Sequence, residues 1–163
     1  MSMDKKTTRI VIAEDEAIIR LDLRETLEEE GYEVVADTGR GDTAIEMVRE
    51  HRPDVAIFDI KMPGMDGLDA ARVVSAEKIC PVVMLTAFSQ REVIEQARDA
   101  GALAYLVKPF QKTDLVPAIE LAIGADRLAR HQVIDEHDFF GGAYKAAGDQ
   151  PAPQIVIEVV IAD

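Results

Sequence analysis

The stretch "VAIFDIKMPGMDG", residues 55–67, decides the reading of this chain. Val55, Ala56, Ile57 and Phe58 form an apolar run bounded by turn residues, the mark of a buried strand. The run ends on a carboxylate, Asp59, and Pro63 and Gly64 follow within five residues. A lone carboxylate at the end of a core strand is costly to bury. Asp59 therefore needs either a partner or a task.

Working outward, strand-like and helix-like segments alternate five times. "RIVIA" (9–13), "YEVVA" (32–36), "DVAIF" (54–58), "PVVMLTA" (81–87) and "ALAYLV" (102–107) read as strands. Helices are expected over 15–30, 41–51, 67–77, 89–101 and 112–124. In the first, Ile19, Leu23 and Leu27 recur every fourth residue, and Gly31 stops it. Ser89 is placed to cap the fourth and Gly101 to end it. Pro117 falls in the first half of the fifth and should shift its start or kink it. Strands this apolar, without polar alternation, are covered on both faces. The fold class is therefore α/β, a parallel sheet with helices on both sides.

In such sheets ligands bind beyond the C-terminal ends of the strands, near the point where strand order reverses. Those ends carry Glu14 and Asp15, then Asp59, Thr86 and Lys108. Three acids brought together repel and call for a cation. A small all-oxygen site suits Mg²⁺ better than Ca²⁺. With a cation bound, one carboxylate can act as a nucleophile toward a phosphoryl group. Thr86 and Lys108 are suited to its equatorial oxygens.

Four segments in order, "AEDE", "FDIKMPGMDG", "LTAFS" and "YLVKPF", resemble the receiver domain of two-component response regulators over about residues 9 to 124. The resemblance implies a flavodoxin-like, doubly wound five-stranded sheet of order 2-1-3-4-5. It implies that Asp59 is the phosphoacceptor and that a sensor histidine kinase is the donor. Asp15 would ligate Mg²⁺ directly and Glu14 would help through water, while Lys61 would offer its backbone carbonyl. Thr86 and Lys108 would bind the phosphoryl group, and Tyr105 would swing inward as Thr86 moves. The Lys108–Pro109 bond would be cis. The fourth helix, fifth strand and fifth helix would form the switching face, which would also serve a homodimer. Such a domain speeds its own phosphorylation and dephosphorylation but turns over no metabolite.

The segments "AEDEAIIRLDLRETLEEEGYEVV", "LTAFSQRE" and "ARDAGALAYLVKPF" resemble in particular the receivers of ANTAR regulators, which bind RNA through a C-terminal three-helix bundle and act on transcription termination. Residues 125–163 depart from that pattern. Gly141–Gly142 and "PAP" (151–153) break helices, and no amphipathic period is long enough for a bundle. A truncated or frameshifted gene and a free-standing receiver both fit. RNA binding is not expected, and the formal net charge of −13 argues the same way, since such a surface repels phosphate backbones. The alternative is an RNA-binding antiterminator whose output module is truncated or altered here.

The remaining features exclude more than they assign. No apolar run reaches the roughly eighteen residues of a membrane helix, and no signal peptide is expected. The single cysteine, Cys80, forms no internal disulfide and reads as a small core residue. A cytoplasmic location is the simplest expectation. His51, His131 and His137 lack metal-ligand spacing and read as surface residues. A phosphatase of the haloacid dehalogenase kind needs a second acid two residues after its nucleophile, and Lys61 stands there. The run "IVIEVVIA" (155–162) reads as a partner-binding strand or, as is commoner for such a terminal run, as a locally packed or disordered end.

Overall fold

The computed structural model describes residues 7–87 and 91–131. Within them five strands alternate with five helices. These are β1 (Arg9–Ala13), α1 (Ala17–Glu29), β2 (Glu33–Thr38), α2 (Gly41–His51), β3 (Val55–Asp59), α3 (Gly67–Ala76), β4 (Val82–Thr86), α4 (Arg91–Asp99), β5 (Ala104–Val107) and α5 (Lys112–His131). All strand pairs are parallel and the sheet order is β2-β1-β3-β4-β5, as expected. The order reverses between β1 and β3, so the crevice where a ligand belongs opens at the C-terminal ends of those two strands.

Side-chain alternation along each strand divides the core in two. Val11, Ala13, Ala56, Phe58, Val82, Met84 and Tyr105 point to one face, where α2, α3 and α4 pack through residues such as Ala44, Val48, Ala71, Val74 and Ala97. Ile10, Ile12, Val55, Ile57, Val83, Leu85 and Leu106 point to the other, under Leu23 and Leu27 of α1 and Leu115, Ile119 and Ala122 of α5. Every residue of β3 and β4 is buried, which is why those strands carry no polar alternation. The helix that contributes least is α4, whose only buried residue is Ala97.

Element ends differ from the sequence reading in two instructive places. Helix α1 begins at Ala17, not at residue 15. The Glu14 side chain accepts the Glu16 amide at 3.0 Å, which makes residues 14–16 a turn and leaves Asp15 outside the helix. Helix α5 runs through both Pro117 and Gly124 to His131. Thr113 and Pro117 are both exposed, so the bond that the proline cannot donate is lost on the wet side, where water replaces it. The proposed cap Ser89 and residues 132–163, with His137 and the 155–162 run, lie outside the described residues.

The loop from β3 to α3 carries Lys61 and is pinned at both ends. The Gly41 amide donates to the Pro63 carbonyl at 3.2 Å, and the Gly67 amide donates to the Ile60 carbonyl at 2.7 Å. Asp66 caps α3 by accepting the Asp69 amide at 2.9 Å. A β-carbon added at Gly67 would lie 1.8 Å from the Asp59 carbonyl oxygen, so no side chain fits without moving the loop. Gly67→Ala should therefore destabilise the domain by about 1–3 kcal/mol, read as a lower denaturation midpoint in urea. An unchanged midpoint would mean that the loop yields freely.

Candidate functional site

The parallel register assembles the site from four strand ends. Asp59 and Thr86 are the last residues of β3 and β4, Glu14 and Asp15 follow β1, and Lys108 follows β5. Carboxylate oxygens of Glu14, Asp15 and Asp59 all lie within 4.8 Å of one another. Glu14 is fully buried and Asp59 nearly so, whereas Asp15 is exposed. Asp15, Glu16, Asp59, Ile60, Lys61, Thr86, Ala87 and Lys108 line one open cleft.

Lys108 supplies the countercharge. Its Nζ lies 2.6 Å from Glu14 Oε1 and 3.3 Å from Asp59 Oδ2, with its side chain 15% exposed. Glu16 Oε1 lies further out, at 4.0 Å. The Lys108 amide donates to the Thr86 carbonyl at 2.7 Å, which fixes where this side chain starts. The Lys108–Pro109 bond is cis. Asp59 Oδ1 accepts the amide of Ile60 at 2.9 Å.

Burial and the adjacent Glu14 carboxylate push the Asp59 carboxyl up to about 7, although Lys108 opposes them. Burial pulls Lys108 down, but its two carboxylate partners outweigh this and hold the ammonium above the usual lysine value. Tyr105 is fully buried and shares a hydrogen bond with Thr86; burial pushes its phenol up to about 12. Glu14 Oε1 is sealed from solvent, and the Lys108 ammonium at 2.6 Å is its partner. Three carboxylates this close, sharing one ammonium, fit a hard cation.

The residues singled out from the sequence, Glu14, Asp15, Asp59, Lys61, Thr86 and Lys108, thus surround one cleft, with Tyr105 beneath it. Three further residues belong to its surroundings and were not read from the sequence. Glu16 stands at the rim. Arg20, on α1, donates to the Glu14 carbonyl oxygen at 2.6 Å. Asp37, on β2, holds Arg20 at 3.2 Å and also pairs with Arg24. Arg20 and Arg24 lie among the charges of an amphipathic helix, where they look like solvated surface, and nothing in the spacing marks Asp37 as their partner.

Comparison with known proteins agrees with this geometry. Residues 10–120 match the response regulator receiver domain family. The transcriptional regulatory protein PdtaR of Mycobacterium tuberculosis is 58% identical over 119 residues, covering 73% of this chain and 58% of that protein. The chain thus spans a little over half of that relative's length. The chemotaxis protein CheY of Bacillus subtilis is 37% identical over 112 residues, covering 68% of this chain and 93% of CheY. Among solved structures, a CheY-like receiver domain protein from Methanospirillum hungatei superposes with a TM-score of 0.68 at 27% identity, covering 76% of this chain and 98% of that one.

The raised Asp59 carboxyl has a thermodynamic consequence. Its folded-state value is about 7 against an ordinary 3.8, so the folded domain holds an extra proton between those limits. That stabilisation is full below about pH 4 and is lost as pH rises through about 7. In metal-free buffer, Asp59→Asn should therefore melt higher than the parent at pH 8, by an amount that shrinks toward pH 4. Thermal unfolding in EDTA at both pH values checks this, and an equal difference at the two would contradict it.

Proposed function

Because this chain belongs to the response regulator receiver domain family, we propose that Asp59 accepts a phosphoryl group from a sensor histidine kinase in a Mg²⁺-dependent reaction. The observation that carries the reading is the convergence of Asp59, Thr86 and Lys108 with two further acids at one sheet edge. Asp15 and Asp59 would hold the ion, with Glu14 behind them and the Lys61 carbonyl completing the protein's share. Bound there, Mg²⁺ would offset negative charge on the transferring group.

An Asp59 carboxylate oxygen forms the new bond to phosphorus as the bond to the donor breaks. A carboxylate nucleophile has no proton to lose, which accounts for a site without a general base. Its raised carboxyl value means that cation binding also favours the reactive, ionised form. The cleft is open, so a histidine-borne or small-molecule phosphoryl group could reach it. Lys108, already 3.3 Å from Asp59, needs only a small movement to meet a phosphoryl oxygen. The domain acts on its own phosphorylation state and not on an external metabolite.

Phosphorylation would draw Thr86 toward the new charge and away from Tyr105. Tyr105 is already inward, so the change would fall on the shared hydrogen bond and on the weakly embedded α4 beside it. In this reading the face built from α4, β5 and α5 changes between two states and serves a homodimer. In this reading the receiver unit runs from β1 through α5, past the boundary at residue 124 expected from the sequence. The net charge of −13 supports a protein partner over RNA as the next component. We place this activity in the cytoplasm; no described helix is long and apolar enough to cross a membrane.

Incubation with acetyl phosphate and Mg²⁺ should add one phosphoryl group, seen by intact mass, and none in EDTA. Lys108→Met should reduce the phosphorylated fraction about tenfold or more, the scale at which one preorganised charge acts on a transition state. A Lys108→Met protein that is phosphorylated as fast as the parent would contradict the role given to this ammonium.

A further inference from the structure

We propose that Arg20, held by Asp37, is a positioning residue for the cation site: it fixes the Glu14–Asp15 turn from behind. This rests on the reading of the acid cluster as a Mg²⁺ site. It assigns a role to residues outside the cleft that touch neither the ion nor the phosphoryl group.

The two metal-side acids sit on a turn, not on a strand or helix. β1 ends at Ala13 and α1 begins at Ala17. Beside its ion pair with Lys108, Glu14 makes three hydrogen bonds that hold this turn. The Glu14 amide donates to the Thr38 carbonyl at 2.9 Å. The Glu14 carboxylate accepts the Glu16 amide at 3.0 Å. The Glu14 carbonyl, which forms the peptide link to Asp15, accepts from the Arg20 guanidinium at 2.6 Å. The last is the shortest of the three and fixes the plane of the Glu14–Asp15 peptide. That plane sets where the exposed Asp15 side chain points.

The guanidinium is itself preorganised. Arg20 Nε lies 3.2 Å from Asp37 Oδ1, with both side chains 25% exposed. Asp37 lies near the end of β2, a sheet strand, so the anchor is rigid. The planar fork of arginine reaches the carboxylate and the carbonyl together, which a lysine cannot do. Space is reserved for it: a β-carbon at Gly39 would come within 2.9 Å of Arg20 Nη1 and 3.4 Å of the Asp15 α-carbon. Arg24 shares Asp37 but bonds the Val34 carbonyl and Glu28, and makes no contact with the acidic turn.

Arg20 therefore lends the turn a fixed orientation without occupying a carboxylate oxygen. Supporting groups of this kind are worth about 10- to 100-fold in metal affinity. The sign of the effect separates positioning from plain electrostatics. A cation near the site repels Mg²⁺, so removing Arg20 would tighten binding if charge alone mattered. If Arg20 positions Asp15, removing it loosens binding despite the lost repulsion.

The test is calorimetric titration of the full chain with Mg²⁺ at constant pH and ionic strength. Arg20→Met should weaken binding about tenfold, Arg20→Lys should fall between it and the parent, and Arg24→Met, which removes the other guanidinium on Asp37, should match the parent. Melting curves in EDTA show that each variant is folded. Arg20→Met binding as tightly as the parent, or more tightly, would overturn the inference, as would an equal loss in Arg24→Met. If the parent itself binds no Mg²⁺, it is the reading of the acid cluster that fails.

Discussion

Two carboxylates buried at one sheet edge, with a single ammonium between them, are the arrangement on which the rest depends. Glu14 and Asp59 share Lys108 at 2.6 and 3.3 Å. Burying either acid alone would be expensive, and burying both without a cation more so. A parallel sheet forces the coincidence, because all strands deliver their C-terminal ends to one side. Placing β1 next to β3 brings Glu14 and Asp59 together, and β5 closes over with Lys108. The balance is incomplete, since one positive charge faces two negative ones. The raised Asp59 carboxyl expresses that deficit. A second cation would offset it, and would offset the further negative charge of a phosphoryl group.

The same arrangement makes the domain responsive. An ammonium held by two carboxylates is a partner that an incoming phosphoryl group can take over. Thr86, next along the edge, already divides its attention between the cleft above and the Tyr105 hydroxyl below. Moving the charge at Asp59 would thus act on the Thr86–Tyr105 contact, in the core cluster that α4 also joins. That helix has one buried residue, so a small local shift need not work against a large packing energy. Regions of low local stability are where a switch is cheapest to build.

Much of this was legible in the sequence, for physical reasons. Doubly covered strands are apolar along their length, and β3 and β4 are so up to their last residues, Asp59 and Thr86. A polar or charged group at the end of such a strand stands out, as Asp59, Thr86 and Lys108 do. Helix limits were less legible where side chains or solvent decide them. Glu14 caps the turn before α1 and delays that helix to Ala17. Pro117 did not shift the start of α5, where Leu115 and Ile119 pack on the sheet on either side of it, and the exposed Gly124 did not end the helix. Arg20 and Asp37 were not legible at all, since their meaning depends on a contact between α1 and β2 that no local pattern encodes.

The most direct test of the central claim is to identify the bond that forms. After reaction with acetyl phosphate and Mg²⁺, borohydride reduction converts an aspartyl phosphate to homoserine, and peptide mapping locates it. The account predicts homoserine in place of Asp59 and nowhere else. Modification at a different residue, or a phosphoryl group that survives borohydride and hydroxylamine as a stable ester, would contradict it.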